Sequence, residues 1–347
     1  MSAPLHNAVQ RLINDQRLNA EESAAAFEVL MRGDGEDGPV AAFLTALACR
    51  GETSEMLTGA ARVLRQHATR ITPQAAGLLD TCGTGGDRLH TFNISTAAAL
   101  VAAACGVPVA KHGNRSVSSS SGSADVLESL GVRLSGDPEQ VARCVDEIGI
   151  GFLFARELHP AMRHVADVRR QLGFRTVFNL LGPLVNPAAA AFHLLGAGDL
   201  KTARLLADTV AQLGVPAGGR TVVVCGNNQI DEVSLWGTTS WFSVDGSGER
   251  DAGTWTEDDF ELAGVEVSDL RVDTADESAA VIRGVLADDR SPAWRMTIAN
   301  AAAALWCAGH AESVGKAARL AANAVADGKA RDTLQRLASF NRPAPGQ

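Results

Sequence analysis

A chain of 347 residues, 46% hydrophobic and 20% charged, is long enough to bury one large or two ordinary cores and has the composition of a soluble globular protein. Its 31 Lys and Arg against 40 Asp and Glu leave a net charge of −9, which argues against a general nucleic-acid or acidic-membrane surface and leaves any bound anion to local cations. No apolar run reaches the roughly 18 residues of a membrane span, and the start MSAPLHNAVQRLIND lacks a basic segment followed by an apolar one. The six cysteines form no C-x-x-C pair, so free thiols in a reducing, cytoplasmic setting are expected.

Residues 1 to about 70 read as helices throughout. Val9, Leu12 and Ile13 recur at helical spacing, and Asn19 to Glu22 can cap a second segment striped by Ala24, Phe27, Leu30 and Met31. Gly33 to Gly38 is a break. Val40 to Cys49 is apolar enough for a buried helix, and Thr53 or Ser54 can start another through Leu64. No strand pattern occurs here, so residues 1–70 are expected to form a small all-helical domain, joined by helices from about 160–187. The apolar stripes suit an internal core or a dimer face.

From Leu78 short apolar runs alternate with helical patterns. Leu78 to Asp80, Val107 to Ala110, Val132 to Leu134, Gly151 to Phe154, Phe192 to Leu195 and Thr221 to Cys225 read as strands, with Pro138 to Ile148 and Thr202 to Leu213 among the helices between them. This alternation predicts an α/β domain over 71–347 with a mostly parallel central sheet flanked by helices. Residues 240 to 275 read as an irregular or antiparallel extension, and the chain from Trp294 is Ala-rich and helical.

Three polar clusters follow predicted strands, where ligands of such sheets gather. Gly83-Thr84-Gly85-Gly86-Asp87 has the glycine density of a loop whose N–H groups can hold an anion. Asn93-Ile94-Ser95-Thr96 precedes the Ala-rich run to Ala104, and a helix start there would present free N–H groups. Lys111 to Ser123 supplies two cations, an amide and many hydroxyls at a strand-to-helix turn. Taken singly, each of these is more often a plain turn or linker, but three within a short span between regular elements favour a phosphate site.

The same stretch resembles the signature region of the anthranilate phosphoribosyltransferases, with GTGGD, NIST and KHGNR-x-x-SS-x-SGSAD in order at Gly83–Asp87, Asn93–Thr96 and Lys111–Asp125. The resemblance continues through Val168-Arg169-Arg170, Arg175 to Asn179, Leu181 to Leu184 and Asp231-Glu232, and so covers most of the chain. It implies a Mg²⁺-dependent transfer of the phosphoribosyl group of 5-phosphoribosyl 1-diphosphate to anthranilate, in tryptophan biosynthesis, by a homodimer built through the helical region. The donor would lie against Gly83, Gly86, Asp87, Thr91, Asn93, Ile94, Ser95, Thr96, Lys111, His112, Gly113, Asn114, Arg115, Ser116, Val117, Ser118, Ser119 and Ser123. Anthranilate would meet Gly83, Asn114 and Arg169. Ser95, Asp231 and Glu232 would hold Mg²⁺, two ions per subunit.

The residues themselves are compatible with that chemistry. An acidic pair in a loop is usually solvated, but two carboxylates turned to one cation suit Mg²⁺. Arg169, Arg170 and Arg175 read as one basic helical face, and an arginine fork suits a carboxylate. His112 reads as a structural histidine holding its loop, and no general base is assigned. Asn227-Asn228-Gln229 departs from the Gly-rich approach that relatives have before the acidic pair, and Gly38-Pro39 departs from a continuous helix start. No Walker A loop, H-E-x-x-H or G-x-S-x-G elbow competes. A pyrimidine-nucleoside phosphorylase or a non-enzymatic nucleic-acid-binding relative are the alternatives. The first would need neither the acidic pair nor Arg169, and the second is opposed by the charge.

Overall fold

The computed structural model describes residues 2–115 and 121–340. Four helices open the chain: α1 (Ala3–Ile13), α2 (Ala20–Arg32), α3 (Asp37–Arg50) and α4 (Ser54–His67). Asn19 caps α2 in a reciprocal box, its side chain accepting from Glu22 N–H at 2.8 Å while the Glu22 carboxylate accepts from Asn19 N–H at 3.1 Å. Gly33, at φ 75°, ends that helix in the left-handed conformation. α3 runs through Gly38 and Pro39, because proline costs no intrahelical bond in a first turn. Thr53 caps α4.

The chain then alternates: β1 (Leu79–Gly83), α5 (Ile94–Ala104), β2 (Val109–Gly113), α6 (Ser123–Ser129), α7 (Pro138–Ile148), β3 (Ile150–Phe154), α8 (Ala155–Leu158), α9 (Arg163–Leu172), α10 (Phe178–Leu181), β4 (Phe192–Gly196), α11 (Leu200–Leu213) and β5 (Arg220–Gly226). β6 (Thr239–Asp245) and β7 (Arg250–Trp255) extend the sheet as an antiparallel hairpin. α12 (Ala275–Leu286), α13 (Pro292–Cys307), α14 (Val314–Ala326) and α15 (Lys329–Phe340) complete the fold. The seven strands run in the order β3-β2-β1-β4-β5-β6-β7, with β1 to β5 parallel. A small helical domain beside a larger α/β domain with a mostly parallel sheet is the expected fold class. Among the described residues no helix is long and apolar enough to cross a membrane.

Each face of the sheet has its own core. One joins β1, β2 and β5 to α5, α12, α13, α14 and α15, where alanines on α5 and α13 let those two helices pack closely. The other joins Leu195, Val223 and Cys225 of the sheet to α11, α9 and all four N-terminal helices. The stripe residues Leu12, Phe27, Leu30 and Met31 are spent in this internal core, leaving Ile13 60% exposed.

Three expectations change. Val132–Leu134 forms no strand: Val132 is apolar because it packs under α6 and α7, not because it pairs. Lys111 and His112 belong to β2 itself and are almost fully buried, whereas they were expected in the loop beyond it. Arg175 lies past the end of α9 at Gly173, off the helical face that carries Arg169 and Arg170.

A candidate active site at the carboxyl ends of the strands

β1, β2, β4 and β5 all end in glycine, at Gly83, Gly113, Gly196 and Gly226. β1 and β4 are in register, Gly83 opposite Gly196, so these ends form a level floor with no side chains. The acidic loop rests on it. A Cβ at Gly83 would lie 2.2 Å from Asp231 Oδ2, one at Gly196 1.7 Å from the Asp231 carbonyl, and one at Gly226 2.5 Å from the Glu232 carbonyl. The approach to the pair is made by Asn227 and Asn228 at φ 48° and 51°, left-handed positions that asparagine tolerates better than other residues with a Cβ. Asparagine therefore does the conformational work of the glycines expected there, and Asn228 Oδ1 also accepts from Leu200 N–H at 2.8 Å.

Asp231 and Glu232 line one small cavity with Thr81, Cys82, Gly83 and Ser95. Asp231 Oδ2 accepts from Gly85 N–H at 2.6 Å, and Glu232 Oε1 accepts from Ser95 N–H at 3.1 Å. By surface the two residues are half-buried, yet burial of the carboxyl ends is the largest influence on both. It pushes both above the ordinary carboxylate range; the charge of Asp87 adds to the rise at Asp231, and that of Asp231 to the rise at Glu232. Asp87 hydrogen-bonds Asp231 and is itself raised by burial. Lys111 opposes this crowding, its ammonium donating to Thr81 O and reaching Ser95 Oγ at 3.3 Å. Adjacent, mutually repelling carboxylates beside a hydroxyl are a donor set that fits a hard divalent cation.

The second cluster sits on the first turn of α5. Asn93, not Ser95 or Thr96, is the N-cap residue, and its side chain is engaged by Ser121 and by Ser278 of α12. Ile94 and Thr96 are 1% exposed, so their side chains face the core, while Ser95 faces the acidic loop. Thr91, half-buried, bridges to Arg271. In the third cluster, a Cβ at Gly113 would meet Ser123 Oγ at 2.2 Å, which holds the loop against the start of α6. The Asn114 carbonyl accepts from Ala124 N–H at 3.2 Å and from Ser123 Oγ at 3.4 Å. Arg115 turns to α6, pairing with Asp125 at 3.0 Å and Glu128 at 2.6 Å, so its charge is committed to that helix. Ser116, Val117, Ser118 and Ser119 lie outside the described residues.

His112 is buried within β2. Its Nε2 is 3.2 Å from His159 Nε2, and its backbone N–H donates to the buried Asp80 at 3.0 Å. Burial drives His112 down to about 3 and His159 to about 4, so both rings are neutral. Arg169 differs from its neighbours. Arg170 is exposed and paired with Asp167 at 2.9 Å, whereas the Arg169 guanidinium lies 4.9 Å above the Phe178 ring with a buried Nε that has no hydrogen-bond partner among the described residues. Burial lowers its pKa, and stacking fixes the plane of its fork.

Sequence reasoning missed Gly196, Gly226 and Asn300. Asn300 lines the same cavity, accepting from Val233 N–H at 2.8 Å and donating to the Val233 carbonyl at 3.0 Å, which fastens the residue after Glu232. A lone amide within the Ala-rich run of α13 was its only signal.

Residues 6–68 match the model of the glycosyl transferase family helical bundle domain and residues 75–331 that of the glycosyl transferase family a/b domain. An anthranilate phosphoribosyltransferase of Thermomicrobium roseum is 44% identical over 334 residues, covering 95% of each chain. This chain belongs to the anthranilate phosphoribosyltransferase family. The crystal structure of the Thermus thermophilus anthranilate phosphoribosyltransferase superposes with a TM-score of 0.87 at 40% identity, covering 96% of this chain and 98% of that one. The Saccharomyces cerevisiae member, solved in complex with PRPP and Mg, superposes at 0.89 with 26% identity and 98% of each chain covered. The yeast protein has also been solved with 4-fluoroanthranilate.

Proposed function

We propose that this chain transfers the phosphoribosyl group of 5-phosphoribosyl 1-diphosphate (PRPP) to the amine of anthranilate, releasing diphosphate, and that it does so in tryptophan biosynthesis. The observation that carries the reading is the desolvated Asp231–Glu232 pair seated on strand-ending glycines beside Ser95. An aromatic amine is neutral at pH 7, so attack on the ribose needs no strong base. This agrees with two histidines held neutral away from the acidic pair. The demanding event is departure of diphosphate with positive charge growing on the sugar. Ser95, Asp231 and Glu232 would hold Mg²⁺, as two ions per subunit, which would supply charge for that departure.

The chain's own residues bind and orient. The amides of the Gly83–Asp87 loop and of the start of α5, with Lys111 and the segment to Ser123, receive the donor, the fixed dipoles acting without reorganisation. Arg169 and Asn114 receive the anthranilate carboxylate and ring beside Gly83, and Phe178 keeps the arginine fork in plane. Holding amine and ribose carbon in line contributes through proximity. A nucleoside phosphorylase reading leaves without a task both the acidic pair and Arg169, whose buried Nε has no hydrogen-bond partner among the described residues.

The division of the chain follows the same reading: a helical domain over 1–70 completed by helices of the 160–187 segment, and a donor-binding α/β domain over 71–347. We propose a cytoplasmic homodimer formed through the helical domain, where Ile13 and Phe174 are large apolar side chains left exposed. The test of function is the loss of anthranilate fluorescence on addition of PRPP and Mg²⁺. A chain that consumes no anthranilate under those conditions does not have this activity.

A further inference from the structure

The Gly83–Asp87 loop is held from two sides. From within the α/β domain, Thr84 N–H donates to the Gly196 carbonyl at 2.9 Å and Gly85 N–H to Asp231 Oδ2 at 2.6 Å. From the opposite side comes Arg175. Its Nη1 donates to the Gly85 carbonyl at 2.7 Å and its Nη2 to the Thr84 carbonyl at 3.1 Å. The guanidinium comes so close to the loop that a Cβ at Gly86 would fall 1.4 Å from Nη1. Gly85 and Gly86 both take left-handed φ, 63° and 76°, which turns their peptide planes. With both carbonyls engaged by Arg175, the Gly86 N–H has no hydrogen-bond partner among the described residues.

Arg175 stands on a segment anchored in the other core. It follows α9, two residues after Gly173, and is followed by Thr176 and Val177, which are 4% and 1% exposed, Val177 in the core shared with the N-terminal helices. The same segment carries Arg169 on one side and Phe178 on the other. One side chain thus reaches from the helical core to the loop beyond β1, using a fork whose two donors match two successive carbonyls. A lysine could reach one of them only.

We propose that Arg175 is a positioning residue for the donor: it fixes the peptide planes of Thr84 and Gly85 so that the following amides present their N–H groups to the diphosphate of PRPP. The inference rests on the reading of this loop as the donor site. Because the anchor of Arg175 is the segment that bears Arg169, the donor loop is set from the acceptor side of the cleft.

The test titrates PRPP with Mg²⁺ into the full-length wild type, Arg175→Ala and Arg175→Lys by calorimetry, with steady-state kinetics and melting temperature measured on the same samples. The expected result is a PRPP Kd and KM raised at least 10-fold in Arg175→Ala and partly recovered in Arg175→Lys. The anthranilate KM stays within about threefold and the melting temperature is unchanged. Wild type that binds PRPP while Arg175→Ala binds it equally well overturns the positioning role. So does a rise of both KM values together with a lowered melting temperature, which is the signature of a merely structural contact. Wild type that binds no PRPP overturns the donor-site reading itself.

Discussion

Ser95 N–H donates to Glu232 Oε1 at 3.1 Å, so the first turn of α5 and the loop beyond β5 face each other across 137 positions of sequence. That bond places a helix N-terminus and a hydroxyl against an acidic pair. We expect turnover to need a divalent cation and Asp231→Asn combined with Glu232→Gln to lower kcat by on the order of 10²-fold or more. Full activity in excess chelator would remove the metal from the mechanism.

The same pair predicts how Mg²⁺ acts on stability. Both carboxyls titrate above their ordinary range, so the folded metal-free chain holds protons that the unfolded chain has released. Their contribution is present at low pH and lost as pH rises through the raised values, and Mg²⁺ displaces those protons. The increment in melting temperature on adding Mg²⁺ should therefore grow from about pH 5.5 to pH 8. In the double variant it should be small and flat. An increment equal at all pH values in wild type would show that Mg²⁺ binds elsewhere.

Arg169→Ala should raise the anthranilate KM, or lower kcat/KM, by roughly 10- to 100-fold, the ~1.5–3 kcal/mol of a charge-assisted hydrogen bond. The PRPP KM should stay within a few-fold. Arg169→Lys should recover little, since an ammonium neither forks nor stacks on Phe178 as a guanidinium does. If the variant instead weakens PRPP and spares anthranilate, Arg169 belongs to the phosphate site.

Gly196→Ala adds one methyl group where the Asp231 carbonyl stands 1.7 Å away. Main chain must shift, which costs about 1–3 kcal/mol of stability and displaces the acidic loop. A modest fall in melting temperature with a disproportionate loss of Mg²⁺-dependent turnover is expected. Wild-type kinetics in this variant would show that the glycine floor does not set the loop.

His112 and His159 are both driven down by burial. A depressed histidine leaves stability intact above its unfolded value of about 6.5 and costs it as pH falls. Each contributes a slope of up to roughly 1.4 kcal/mol per pH unit below that point. Urea denaturation of wild type from pH 7 to pH 4.5 should show stability falling with acid, and His159→Gln should flatten the slope. Parallel slopes for the two proteins would mean that His159 titrates as it does unfolded.

Local signals were legible wherever local chemistry decides. The cap at Asn19 and the break at Gly33 follow from residue types alone, whereas Gly83, read as loop, closes β1. Lys111 and His112 looked like loop residues because charge usually marks solvent; the structure buries both in β2, with Asp80, Thr81 and His159 as partners from distant positions. Gly196 and Asn300 carried no motif, since their importance comes from what β1, β4 and α13 bring beside Asp231 and Val233. Arg175 was legible as part of a resembling run, but its direction depends on the end of α9 at Gly173.

The core that gathers α1 to α4 also contains Leu195 and Val223 of the sheet and Leu206 and Val210 of α11, with Arg65 of α4 donating to the Leu184 carbonyl at 2.8 Å. Cutting the chain between residues 68 and 75 would fall between the two family matches, leaving α9 and α11 in place but uncovering the apolar faces they share with α1 to α4. The larger fragment would carry an oily wall into water and, lacking anything to lay over it, would find its covering in other fragments. The two regions that match separate family models share one core in this molecule.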